Sequence, residues 1–185
     1  ESFKSELIKR LKDFERYPDI NYSEVRESIS EYLGMYCVDR IIPGNGAVEL
    51  IYKLTASSGC RRMVCLSPTF SEYRRAAQIN GLEYTEIPAF SDNYEFVDIR
   101  ALINNIKPDT IFIICNPNNP TGTLIKKKDM IKLAEKIEGH NCKLLIDEAF
   151  MEFTDEYPDD SMVDVLDSFS NLMVIKAATK FFGMP

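Results

Sequence analysis

Thr110-Ile111-Phe112-Ile113-Ile114-Cys115 runs directly into Asn116-Pro117-Asn118-Asn119-Pro120-Thr121-Gly122. From Ile111 to Cys115 the segment is apolar at odd and even positions alike, so a strand made from it needs cover on both faces. The segment that follows is built from turn formers, and it ends the strand abruptly. A doubly covered strand with a polar loop at its carboxyl end is the unit of a parallel sheet flanked by helices.

The same unit recurs outward from this point. Strand-sized apolar runs fall at Arg62 to Leu66, Leu82 to Ile87, Lys143 to Ile146 and Leu172 to Ile175. Helical periodicity lies between them, over Ala47 to Ala56, Ser71 to Ile79, Val97 to Ile106 and Asp129 to Ile137. Met130, Leu133, Ala134 and Ile137 mark the buried face of the last. Alternation of this kind predicts an α/β fold, three layers α/β/α around a mostly parallel sheet. Before it, Glu1 to Lys12 reads as an amphipathic helix, with Phe3, Leu7, Leu11 and Phe14 at helix spacing. Tyr17-Pro18-Asp19 breaks that pattern. A second helix is expected to start at Asn21, with Glu24 completing a capping box.

Composition narrows the function classes. With 29 acidic and 22 basic residues among 185, the formal net charge is −7, and no basic stripe suits nucleic acid. Lys126-Lys127-Lys128 is the only basic cluster, and it reads as a solvated helix start. No apolar run reaches membrane-spanning length, and no secretory signal is visible. The five cysteines are odd in number and lack C-x-x-C spacing, so reduced thiols in a cytoplasmic protein are expected and a metal site is not.

Ligands of open α/β sheets bind beyond the carboxyl ends of the strands. At those positions stand Phe70 in Ser67-Pro68-Thr69-Phe70, Asn119 in the Asn116–Gly122 loop, Asp147 after Ile146, and Lys180 a few residues past Ile175. An aromatic ring, an amide, a carboxylate and a lysine are thus expected on one rim. Each has a plain structural reading too: tight loop, helix cap, core aromatic, solvated lysine.

In order along the chain, Gly44-Asn45-Gly46-Ala47-Val48-Glu49, Asn116 to Gly122, Asp147-Glu148-Ala149-Phe150 and Thr179-Lys180-Phe181 resemble the class I/II aminotransferases. These are fold-type-I pyridoxal-phosphate enzymes. The pattern is most similar to the histidinol-phosphate aminotransferase and threonine-phosphate decarboxylase branch, whose pattern also includes Tyr17-Pro18-Asp19. The resemblance runs from about Glu15 to Pro185.

The resemblance implies pyridoxal 5'-phosphate as cofactor and assigns each residue a task. Lys180 would carry the cofactor as a Schiff base and then move the proton at the substrate's α-carbon. Asp147 would pair with the ring nitrogen and favour its protonated form. Asn119 would donate to the phenolic oxygen, and Phe70 and Ala149 would cover the two ring faces. Gly46, the N–H groups of Ala47 and Val48, and Thr179 would take the phosphate. Tyr17 would reach the phosphate of a neighbouring subunit, so a homodimer acting on a small amino-acid substrate is implied.

Three positions depart from the usual pattern. Phe150 stands where many members have a tyrosine, Ala177 where a serine or threonine is common, and Val48 where an acid is common. Asp147-Glu148-Ala149-Phe150 resembles the decarboxylases. The implied organisation is an N-terminal helical segment over 1–36 and an incomplete large cofactor-binding domain over 37–185, with the C-terminal small domain absent. A fragment of that kind is expected to be inactive alone. Three functions stay open here: transamination, decarboxylation of phosphothreonine, and a ligand-sensing role without catalysis.

Overall fold

A computed structural model describes residues 3–35, 37–93, 95–96 and 98–183. The chain divides into two compact units, Glu1–Pro43 and Gly44–Pro185.

The second unit holds five strands, β1 (Arg62–Ser67), β2 (Glu83–Pro88), β3 (Thr110–Cys115), β4 (Lys143–Asp147) and β5 (Leu172–Ile175). They form one sheet in the order β2-β1-β3-β4-β5, and every pairing is parallel. All six residues of β3 are buried, as the doubly apolar run predicts. Alternate residues feed opposite cores. Val64, Leu66, Phe112, Ile114, Leu144 and Ile146 pack on one face with Met130, Leu133, Ala134 and Ile137. Met63, Cys65, Ile111, Ile113 and Leu145 pack on the other with Ile51, Tyr73, Ala76 and Ala77. Each large side chain so buried contributes roughly 1.5–3 kcal/mol. The result is the α/β fold with helices on both faces.

The chain runs from β1 outward to β2 and then returns to place β3 on the other side of β1. The carboxyl ends of β1 and β3 therefore diverge into loops that leave in different directions, which opens a crevice between them. The loops carrying Thr69, Phe70, Asn118 and Asn119 begin there.

The helices are α1 (Phe3–Lys9), α2 (Ser23–Leu33), α3 (Gly46–Ser57), α4 (Glu72–Ile79), α5 (Arg100–Ile103), α6 (Lys127–Ile137) and α7 (Ala178–Phe181). Several expectations need correction. The helix expected over Val97 to Ile106 shrinks to α5, with Val97 outside the described residues. Asn105 turns its side-chain amide back onto the Ala101 carbonyl at 2.8 Å, a local bond that competes with helix continuation. The second helix starts at Ser23, not Asn21. Asp19 supplies the acceptors instead, taking the N–H of Asn21 at 2.9 Å and of Ser23 at 2.8 Å. Glu24 is drawn to Arg10 at 3.3 Å rather than into a capping box. The first helix gives way to a 3-10 turn over Leu11–Glu15, and its stripe of Phe3, Leu7, Leu11 and Phe14 is exposed.

The lysine cluster is only partly solvated. Lys126 reaches Glu156 at 3.0 Å and Asp160 at 2.9 Å, and Lys127 reaches Asp164 at 2.6 Å. The acidic residues Glu156, Asp160 and Asp164 supply its counter-charge.

Candidate active site

Asp147 is the last residue of β4, and 3% of it is exposed. Its Oδ2 accepts a hydrogen bond from the Tyr73 hydroxyl at 2.8 Å, and its Oδ1 accepts from the Ala149 N–H at 3.1 Å. Burial pushes the carboxyl above its usual range, while the donations from Tyr73 and Ala149 pull it back down. Among the described residues no lysine, arginine or histidine forms an ion pair with it. A buried carboxylate held by neutral donors alone is a costly arrangement, and a cation placed against it relieves that cost.

Around Asp147 the loops are tied across the crevice. Asn118 accepts from the Thr69 hydroxyl at 2.9 Å and donates to the Pro68 carbonyl and the Thr121 hydroxyl, each at 2.9 Å. This binds the loop after β1 to the loop after β3. Asn116 closes its own loop by exchanging two bonds with the Ile125 backbone, at 2.9 and 2.7 Å. Asn119, one residue past that clamp, is half-buried. It lines a cavity of about 320 Å³ together with Gly122, Phe150, Phe153 and Thr154. Phe70 meets Tyr73 edge-on, 5.6 Å between ring centres, so Phe70, Tyr73 and Asp147 form one contiguous set.

At the start of α3, Gly46 has φ +82°, and a Cβ built there meets nothing within 4 Å. That conformation favours glycine. The N–H groups of Ala47 and Val48 lie in the first turn, where helix geometry leaves them without an intrahelical acceptor. Glu49 folds back to the helix start, its carboxylate taking the Asn45 N–H at 2.5 Å and pairing with Lys53 at 2.7 Å.

Two expected residues, Lys180 and Thr179, are tied to this set by no described hydrogen bond or ion pair. Lys180 is exposed on α7 and forms no hydrogen bond or ion pair with Asp147 or Asn119, and Thr179 beside it is half-buried. Tyr17 belongs to the first unit and is 100% exposed. Directly after β5 stands a half-buried lysine, Lys176, a residue that sequence reasoning passed over. It lies 3.2 Å from Glu148 and 2.7 Å from Glu152, above the Tyr157 ring. Glu148 is fully buried, and it also accepts from the Ser161 hydroxyl and the Met162 N–H, both at 2.7 Å. Tyr73, Thr69 and Asn118 were missed as well. For Tyr73 a signal existed: it stands three residues after Phe70, so a helix begun there puts both rings on one face.

The fold is of the α/β class, and a family model for class I and II aminotransferases matches residues 2–185. The chain belongs to that family. It is 39% identical over 182 residues to a protein of Caldanaerobacter subterraneus subsp. tengcongensis provisionally named threonine-phosphate decarboxylase, covering 97% of this chain and 48% of that one. It is 34% identical over 178 residues to the histidinol-phosphate aminotransferase of Buchnera aphidicola subsp. Acyrthosiphon pisum, covering 95% and 47%. The crystal structure of the histidinol-phosphate aminotransferase from Clostridium acetobutylicum superimposes with a TM-score of 0.87 at 34% identity, over 99% of this chain and 53% of that one. The chain thus spans about half the length of the curated relatives it matches.

Proposed function

We propose that the full-length protein is a pyridoxal-phosphate-dependent aminotransferase acting on an amino acid or amine, with a phosphorylated substrate such as histidinol phosphate as the leading candidate. The observation that carries this reading is Asp147, a buried carboxylate held by neutral donors only. A protonated ring nitrogen is the kind of cation that fits it. When bound, pyridoxal phosphate supplies an aldehyde that condenses with amines and a ring that accepts electrons.

The residues of this chain would divide the remaining work. Asp147 would hold the ring nitrogen, and Asn119, in the cavity wall beside Phe150, would donate to the phenolic oxygen. Phe70 and Ala149 would flank the ring. Gly46 with the Ala47 and Val48 N–H groups, and the Thr179 hydroxyl, would take the phosphate. Lys180 would hold the cofactor covalently and move the proton at the substrate's α-carbon. Lys176 suits that role poorly, because its amine is already engaged by the carboxylates of Glu148 and Glu152. The complete exposure of Tyr17 supports a homodimer in which it serves the neighbouring site. Five free cysteines support a cytoplasmic setting.

A second reading is decarboxylation of phosphothreonine. It is favoured by Phe150 and by the name of the relative at 39% identity. The two are separated by supplying the full-length protein with histidinol phosphate or phosphothreonine, together with 2-oxoglutarate. Glutamate formed without carbon dioxide is the expected outcome. Carbon dioxide from phosphothreonine without glutamate establishes the second reading, and turnover of neither substrate contradicts both.

A further inference from the structure

Tyr73 is the largest fully buried side chain of the second unit, and it lies in the first turn of α4. As a core filler beside Ala76 and Ala77 it needs only its ring. Its hydroxyl is an added burden, because an unpaired hydroxyl in that position costs free energy. The hydroxyl is paired, at 2.8 Å, with a residue 74 positions away in the sequence, Asp147.

The groups facing the Asp147 carboxylate come from three elements. Tyr73 approaches from α4. The Ala149 N–H approaches from the loop after β4. Cys115 lies alongside on β3, its thiol donating to the Pro117 carbonyl at 3.2 Å, and burial holds that thiol in its neutral form. No described cation is paired with the carboxylate. Its affinity for a proton is therefore governed by burial on one side and by two donors on the other. Only one of the donors, Tyr73, is a side chain.

We propose that Tyr73 is a positioning residue for Asp147, fixing one carboxylate oxygen and keeping the carboxylate's proton affinity low enough that a shared proton stays on the cofactor's ring nitrogen. The proposal rests on the reading of Asp147 as the partner of that nitrogen. A hydrogen bond to the charged form lowers a carboxyl's pKa. Tyr73→Phe removes that bond and keeps the ring.

The test uses the full-length protein. In its cofactor-free form, with carbon-13-labelled aspartate, Tyr73→Phe is expected to raise the titration of the Asp147 carboxyl by about one to two pH units. In the form loaded with nitrogen-15-labelled pyridoxal phosphate, the ring-nitrogen resonance is expected to move toward that of unprotonated pyridine. Placing 3,5-difluorotyrosine at position 73 strengthens the donor without altering the fold, and both signals should then move the opposite way. Unchanged signals in Tyr73→Phe, even with a lowered Tm, overturn the proposal, as do unchanged signals in the fluorinated protein. Asp147→Asn separates this from the underlying reading. If that variant leaves the ring-nitrogen resonance at its wild-type position, the functional reading of Asp147 fails. If it shifts the resonance while Tyr73→Phe does not, only the role of Tyr73 fails.

Discussion

Asp147 is the residue on which structure and chemistry meet, and it has a consequence for stability that needs no cofactor. Its carboxyl is raised by burial in the folded chain, with Tyr73 and Ala149 only partly offsetting this. A group whose folded pKa lies above its unfolded value binds more protons in the native state across that interval. Stability is therefore lost as pH rises through the interval. Asp147→Asn has no charge to bury, and its amide can donate to the Tyr73 oxygen while its carbonyl keeps the Ala149 N–H. In the cofactor-free full-length protein, the variant's denaturation midpoint should gain on the wild type as pH rises from the carboxylate range to neutrality. Each pH unit of that interval is worth about 1.4 kcal/mol. A gap that does not change with pH contradicts the buried-charge account. Asp147 and Asn119 stood out because each stands in a polar motif at a strand end, whereas Lys180 lies on α7, beyond the end of β5. Tyr73 carried only its spacing from Phe70 as a signal, because its partner is 74 residues away in the sequence.

Among the elements, the strands were legible nearly to the residue, and for the central strands β1, β3 and β4 this is because burial on both faces leaves an apolar run. Helix ends were less so. α5 is cut short by an asparagine amide that bonds the backbone, and α2 is started by Asp19 from outside the expected cap. Both are choices among polar side chains that periodicity does not encode. The ends of β4 and β5 are joined by the Glu148–Lys176 pair, invisible in the sequence because neither residue interrupts a pattern. Removing Lys176 leaves Glu148 buried without its cation. Lys176→Ala should therefore destabilise the protein by roughly 3–5 kcal/mol in urea titration. Lys126→Ala breaks pairs that are solvent-screened and should cost much less. Equal effects of the two would contradict the weight placed on burial.

At the scale of the whole molecule, the fold class followed from alternation of elements, but the strand order β2-β1-β3-β4-β5 did not. Order is set by which edges pair, and an apolar run carries no record of its neighbour. The crevice between β1 and β3, with Asn118 bridging it to Thr69 and Pro68, emerges only in three dimensions. The central claim is that this rim serves pyridoxal phosphate held by Lys180. Borohydride reduction of the full-length protein loaded with pyridoxal phosphate, followed by peptide mass mapping, tests it most directly. The account predicts the cofactor's mass fixed on the peptide carrying Lys180; mass on Lys176 or any other lysine, or on none, would contradict it.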